Sequence, residues 1–284
     1  MVLESLVNPL KAEAHPSVLL FNGFLYATLG LFLGYWIFAE HASLIHVFLT
    51  TMAAIPLIYN IVKMEEHKDL EDMSEKSLLV EHSRAISVFM YYFLGATLAY
   101  SLWFVILPNK MITELFNVQI GTLLDLRGGN ATGQVSQSFG VFSMILSNNL
   151  KVLIFCILFS FIYGIGAIFI LTWNASVIGV AIGDFIRTEI YKVAGEMNFM
   201  VAANYFQVIS IGLLKYSIHG IPEIVAYFIA GLAGGIISVA AIRHDFGTKS
   251  FEKIVMDSAV LVSLSLLILV LAAVLEVWVT PIFF

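Results

Sequence analysis

Residues 221–242 read IPEIVAYFIAGLAGGIISVAAI, twenty-two positions with one charge, Glu223. A run of about 18 or more apolar residues with so few charges is a transmembrane helix. The rest of the chain has the same character. Of its 284 residues, 60% are hydrophobic and 12% charged, with a mean hydropathy of +0.94. Soluble domains are about half apolar and a quarter charged. The fold class that follows is all-α, a polytopic transmembrane helical bundle whose first partner is the lipid bilayer, and the expected location is the cell membrane, multi-pass. A net charge of −6 offers no basic surface, so nucleic acid is not an expected partner. The single cysteine, Cys156, has no partner for an internal disulfide.

Working outward, apolar runs at 17–38, 44–62, 85–107, 150–173, 221–242 and 256–280 read as spans. The charged segment 63–84 reads as a helix on the membrane surface. The polar stretch 109–149 reads as an external loop, and Asn130-Ala131-Thr132 within it has the form of a glycosylation acceptor. Lys63, Lys68, Lys76 and Arg84 place one loop in the cytoplasm, and Arg243, Lys249 and Lys253 place another there. For both to be inside, the chain crosses once between Trp173 and Ile221. Residues 199–217 supply that crossing, and 177–186 become a short re-entrant or broken helix. Seven crossings result, with six as the alternative. The expected organisation is a hairpin plus charged segment over 1–84 and a transmembrane core over 85–284.

Ionisable and amide side chains within membrane spans are costly and mark sites by default. Asn148 and Asn149 open one span, Asn174 closes it, and His219 and Glu223 open another. Pro222 suits the first turn of a helix, so a start near Gly220 is expected. Glu223 would then enjoy the positive end of the helix dipole. One use of the pair is to pin a broken helix to its neighbours. The other is an ion, proton or metal site of the kind transporters build at broken helices. A metal or other bound cation at His219 and Glu223 has two protein ligands, where three or four are usual. No cofactor motif and no catalytic nucleophile set is present in the sequence. Glu276, near the end of the last span, reads as a solvated end.

Gly30 and Gly34, Gly179 and Gly183, and Gly231 and Gly235 are spaced so that helices can approach closely. Such faces serve packing within a chain or in a homo-oligomer.

Two quoted segments carry a family resemblance. FSMILSNNLKVLIFCILFSFIYGIGAIFILTWNASVIGVAIGDF (142–185) and SIHGIPEIVAYFIAGLAGG (217–235) resemble the stage II sporulation protein M family of integral membrane proteins. Asn148, Asn149, Asn174, His219, Gly220 and Glu223 match its polar positions. Ala175 departs from the family's Asn-Gly step. The resemblance covers 85–284 and leaves the hairpin 17–62 as an addition. It implies a non-enzymatic scaffold or assembly factor with membrane or envelope proteins as partners, since the family's namesake organises cell-wall hydrolases. The intramembrane polar residues keep open an ion or small-solute channel or transporter built on Asn148, Asn149, Asn174, His219 and Glu223.

Overall fold

The computed structural model describes residues 9–69, 75–128, 135–163, 166–193, 201–243 and 247–283. The described residues form helices and no strand. These are α1 (Pro9–Ala14), α2 (Val18–Ile37), a 3₁₀ turn (Ala39–His41), α3 (Ala42–Asp69), α4 (Glu75–Ile106), α5 (Asn109–Gly128), α6 (Val135–Tyr163), α7 (Ala167–Val193), α8 (Val201–Arg243) and α9 (Lys249–Val274). A π turn (Leu275–Val279) and α10 (Thr280–Phe283) close the chain. Helix is the form that satisfies every backbone group within its own segment, as lipid requires.

Among the described residues, seven helical segments are long and apolar enough to cross a bilayer. They are Val18–Ile37, Ala39–Lys68, Ser77–Ile106, Ser138–Ile162, Ala167–Tyr191, Tyr216–Arg243 and Lys249–Phe283. The chain is therefore a multi-pass membrane protein. Lys68 bonds Glu13 and approaches Glu81, while Arg243 bonds Glu66. The two basic loops thus lie at one end of the bundle, the end that the Lys and Arg bias assigns to the cytoplasm.

Several boundaries differ from the expectation. The run 150–173 is not one span: α6 ends at Tyr163 and α7 begins at Ala167. Residues 177–186 lie inside α7 as part of a full crossing, not a re-entrant piece. Residues 201–217 of the expected crossing 199–217 belong to α8, whose membrane segment begins at Tyr216. The charged segment 63–84 is not a surface helix; α3 and α4 run into it from either side. The external stretch 109–149 is also largely helical, as α5 and the first turns of α6. The broken helix that the fold does contain is α5, where Phe116 is non-helical (φ −127°, ψ 16°) and fully buried. The glycosylation-type triplet lies outside the described residues.

Helix α8 is the hub. In its most apolar window 83% of residues are buried, against 22% for α6 at the periphery. Trp36, Leu267 and Ile242 stand on the outside, where lipid covers them. Lipid removes most of the hydrophobic drive for helices to associate, so close packing and small residues must supply it. Glycine does so here. A Cβ on Gly23 would strike the Tyr92 carbonyl, and one on Gly95 would strike the Leu20 carbonyl, so α2 and α4 touch backbone to backbone. Gly30 and Gly34 admit Thr50 and His46 of α3. Gly179 and Gly183 seat Tyr100 and Phe104 of α4, and a Cβ on Gly231 would come within 2.8 Å of the Ala167 Cβ. The expected glycine steps are used within one chain. At the last of them it is Gly234, beside the expected Gly235, on which a Cβ would come within 2.6 Å of the Ile157 carbonyl oxygen.

Candidate functional site

Helix α8 passes unbroken through the stretch where a helix start was expected. Pro222 lies inside it, removing one backbone donor and favouring a kink, but it does not end the helix. Neighbouring helices in a membrane accommodate such a proline. Glu223 therefore has no helix N-terminus to stabilise it. Its support is Tyr227, one turn on, whose hydroxyl donates to Glu223 Oε1 at 2.7 Å. His219, Glu223 and Tyr227 are each four residues apart and share one face.

The chain's last turns meet that face. The Thr280 N–H closes the π turn onto the Leu275 carbonyl, and the Thr280 hydroxyl donates to the same carbonyl at 3.1 Å. With that proton spent, the His219 Nδ1–H donates to Thr280 Oγ1 at 3.2 Å. The same turn brings Glu276 into electrostatic reach of Glu223 and Tyr227. Glu276 is thus a member of this site and not a solvated end. π turns of this kind often occur at functional positions.

Asn149, Leu153, Cys156 and Ser160 form the buried stripe of α6. Ser160 lies at Gly231 and Gly234, and Cys156 bears on Tyr227, so this stripe faces α8. Asn148, one residue along, is exposed. Both asparagines lie well inside α6 and do not open it. Asn174 is within α7, with Nδ2 buried and without a partner. The described contacts bring Asn148 and Asn174 to neither His219 nor Glu223. Of the five expected residues, His219 and Glu223 share the α8 face and Asn149 lies on the α6 stripe turned toward α8; Tyr227, Glu276 and Thr280 join the pair. Among the described residues no group of three or more metal-ligating side chains is suited to hold a metal ion.

A second polar cluster lies under the broken helix. His46 of α3 is fully buried between Tyr100 and Phe116, with ring centroids at 5.1 and 5.5 Å. Gln119 of α5, also fully buried, donates to the Ser43 carbonyl at 2.8 Å and lies 3.4 Å from His46 Nε2. It also reaches Ser176 of α7 at 3.3 Å. Tyr100 donates to Thr50, which donates to the His46 carbonyl. His46 Nδ1 faces the Leu115 backbone, next to the break, without completing a hydrogen bond. Outside this cluster, Arg187 of α7 donates to the Phe104 and Leu107 carbonyls and so caps the outer end of α4.

A third cluster joins the inner ends. Glu65 and Glu66 are fully buried and His82 nearly so. Glu65 binds His82 Nδ1 at 2.6 Å and Lys68 at 2.6 Å. Glu66 binds Arg243 at 3.1 Å, and Arg243 also reaches His67 Nε2 at 2.6 Å. These pairs tie α3 to α4 and α8. Buried charges need this degree of pairing, because each loses its hydration on burial.

With this geometry in view, comparison with known families is informative. The family model described as Stage II sporulation protein M matches residues 23–281. The chain belongs to the stage II sporulation protein M family. Its match takes in most of the α2–α3 hairpin, which the resemblance read from 85–284 had left out. The sporulation protein M region therefore includes the His46 cluster and most of the inner ionic cluster as well as the α8 face. Searches of curated proteins and of solved structures give no match.

His46 was detectable in principle, as an imidazole in the apolar run LIHVFLTTMAA. Gln119 carried no such signal, because it lies in a stretch whose polarity reads as a loop. Glu65, Glu66 and His82 were masked by the charged company of Lys63, Lys68 and Glu81.

Proposed function

We propose that this chain is a non-enzymatic membrane scaffold or assembly factor whose partners are other membrane or envelope proteins. The observation that supports this most is that several buried ionisable groups are engaged with one another across the helix contacts. His219 of α8 is bonded by Thr280, Glu65 of α3 by His82 of α4, and Glu66 of α3 by Arg243 of α8, while Glu223 is bonded within α8 by Tyr227. Polar contacts used this way lock helices into one body. The small pocket among α3, α4, α6, α7 and α8 is in keeping with this, since Ser160 is the polar side chain in its lining. A rigid body with its polar groups turned inward is suited to carrying partners on its exposed helices. No cofactor enters this reading.

The outer helix α5 offers Leu124, 59% exposed, as a contact for such a partner. Leu124→Asp is expected to release partners while leaving the bundle folded. On native gels of detergent extracts, the wild type should migrate as a larger complex and the variant as the 31.4 kDa chain with its detergent. Identical migration of the two would count against the scaffold reading.

One observation favours a second reading, transport of an ion or small solute. Glu276 and Glu223 are two carboxylates brought together on the α8 face. Acidic groups within a membrane that face one another are a recurrent feature of proton and ion pathways.

A further inference from the structure

We infer that Glu13 is a proton-binding latch that seats the N-terminal helix α1 on the inner ends of α3 and α4. Helix α1 has six residues, far too few to persist alone in water. Its neighbours must hold it, and two adjacent residues make the contact. Ala12 is 2% exposed, and the Glu13 side chain is 8% exposed. Glu13 Oε2 accepts from Lys68 Nζ at 3.1 Å. Glu13 Oε1 is buried and has no hydrogen-bond partner among the described residues, and the Glu13 carboxyl group lies beside that of Glu65.

The surrounding charges explain why this oxygen needs a proton. Helix α3 presents Glu65 and Lys68, and α4 presents Glu81 and His82. Lys68 reaches the carboxyl groups of Glu13, Glu65 and Glu81, and Glu81 is paired more closely with Arg84, at 3.0 Å. His82 is engaged with Glu65. An ionised Glu13 places a second negative charge beside the Glu65 carboxylate, with Lys68 shared between them. A protonated Glu13 removes that charge and gains a hydrogen to offer Glu65.

Burial, then the neighbouring Glu65, pushes the Glu13 carboxyl up from 4.5 to about 7 against the opposing pull of Lys68. The sign of the pH effect follows. Below pH 4.5 the seated and released forms of α1 both carry the proton, and seating is at full strength. Between 4.5 and about 7 the seated form keeps a proton that the released form has lost, so seating weakens as pH rises. Above about 7 there is no further loss. Because Glu13 is near the surface, solvent screening reduces the effect, and a weakening of about tenfold between pH 5.5 and 7.5 is expected.

The test uses the full chain in nanodiscs, with Ala12→Cys as a reporter and a hydrophilic maleimide as the probe. Rates are normalised to those of a small free thiol at each pH. The normalised rate should rise about tenfold from pH 5.5 to 7.5 and stay level when Glu13→Gln is added. A flat rate in the Glu13-containing protein overturns the proposal. So does an equal rise in the Glu13→Gln protein, which would assign the step to the His82–Glu65 pair. A second measurement needs no variant: hydrogen exchange of residues 9–14 in the wild type, corrected for intrinsic pH dependence. Protection must fall over the same interval, and constant protection overturns the latch.

Discussion

Gly95→Leu is expected to part α2 from α4 and to remove most folded protein from detergent extracts, and Gly23→Leu should do the same. At each position a Cβ would occupy the space of a backbone carbonyl on the other helix, Leu20 for Gly95 and Tyr92 for Gly23. A backbone group cannot swing aside as a side chain can, so the helices must separate along their length. Overpacking a tight core costs about 1–3 kcal/mol even where side chains can yield. The loss here should be at the upper end or beyond. The contact also aligns neighbouring polar bonds: Tyr92 donates to the Thr50 carbonyl, and Trp103 donates to Thr28 of α2. The control is Gly220→Ala. A Cβ there meets nothing within 4 Å, and alanine is the better helix former by about 1 kcal/mol. Thermal unfolding followed by size-exclusion fluorescence distinguishes the three proteins. Equal tolerance of all three would refute the backbone contact.

His82→Leu is expected to destabilise the bundle by about 3–5 kcal/mol, because it leaves the buried Glu65 carboxylate with Lys68 as its remaining cation. Glu65→Leu should be costly for the mirror-image reason. The informative protein is the double variant, Glu65→Leu with His82→Leu. Replacing both members of a buried pair by apolar groups is often neutral or stabilising, so the double should be milder than the sum of the singles. Denaturation midpoints of the four proteins complete the cycle. Strict additivity would mean that the 2.6 Å contact between Glu65 and His82 carries no coupling.

How far these features could be read in advance depended on their chemistry. The α8 span was legible because a long uncharged run has one stable form in lipid. The break between α6 and α7 was not. It falls in the segment FIYGIGAIFI, where the turn carries glycine and no charge, so hydropathy runs straight through it. Pro222 misled in the opposite direction. Proline suits a helix start, yet a membrane helix packed on all sides can carry it internally. His219 and Glu223 share one face because α8 is continuous through Pro222, whereas the expected start near Gly220 had left His219 just outside the helix. Their companions Tyr227, Glu276 and Thr280 were not evident, because two of them come from residues more than fifty positions away. The His46–Gln119 cluster escaped for a similar reason. Its members belong to α3, α5 and α7, and only the fold of α5 beneath the outer surface brings them together.

The measurement that tests the proposed function most directly is ion flux in proteoliposomes. Wild type and Glu223→Gln would be compared under gradients of protons and of monovalent and divalent cations. A scaffold whose polar groups are bonded to one another should show no flux above empty liposomes in either protein, and both should elute as folded, monodisperse material. Flux in the wild type that Glu223→Gln abolishes would contradict that reading and make the Glu223–Glu276 face the centre of a transporter.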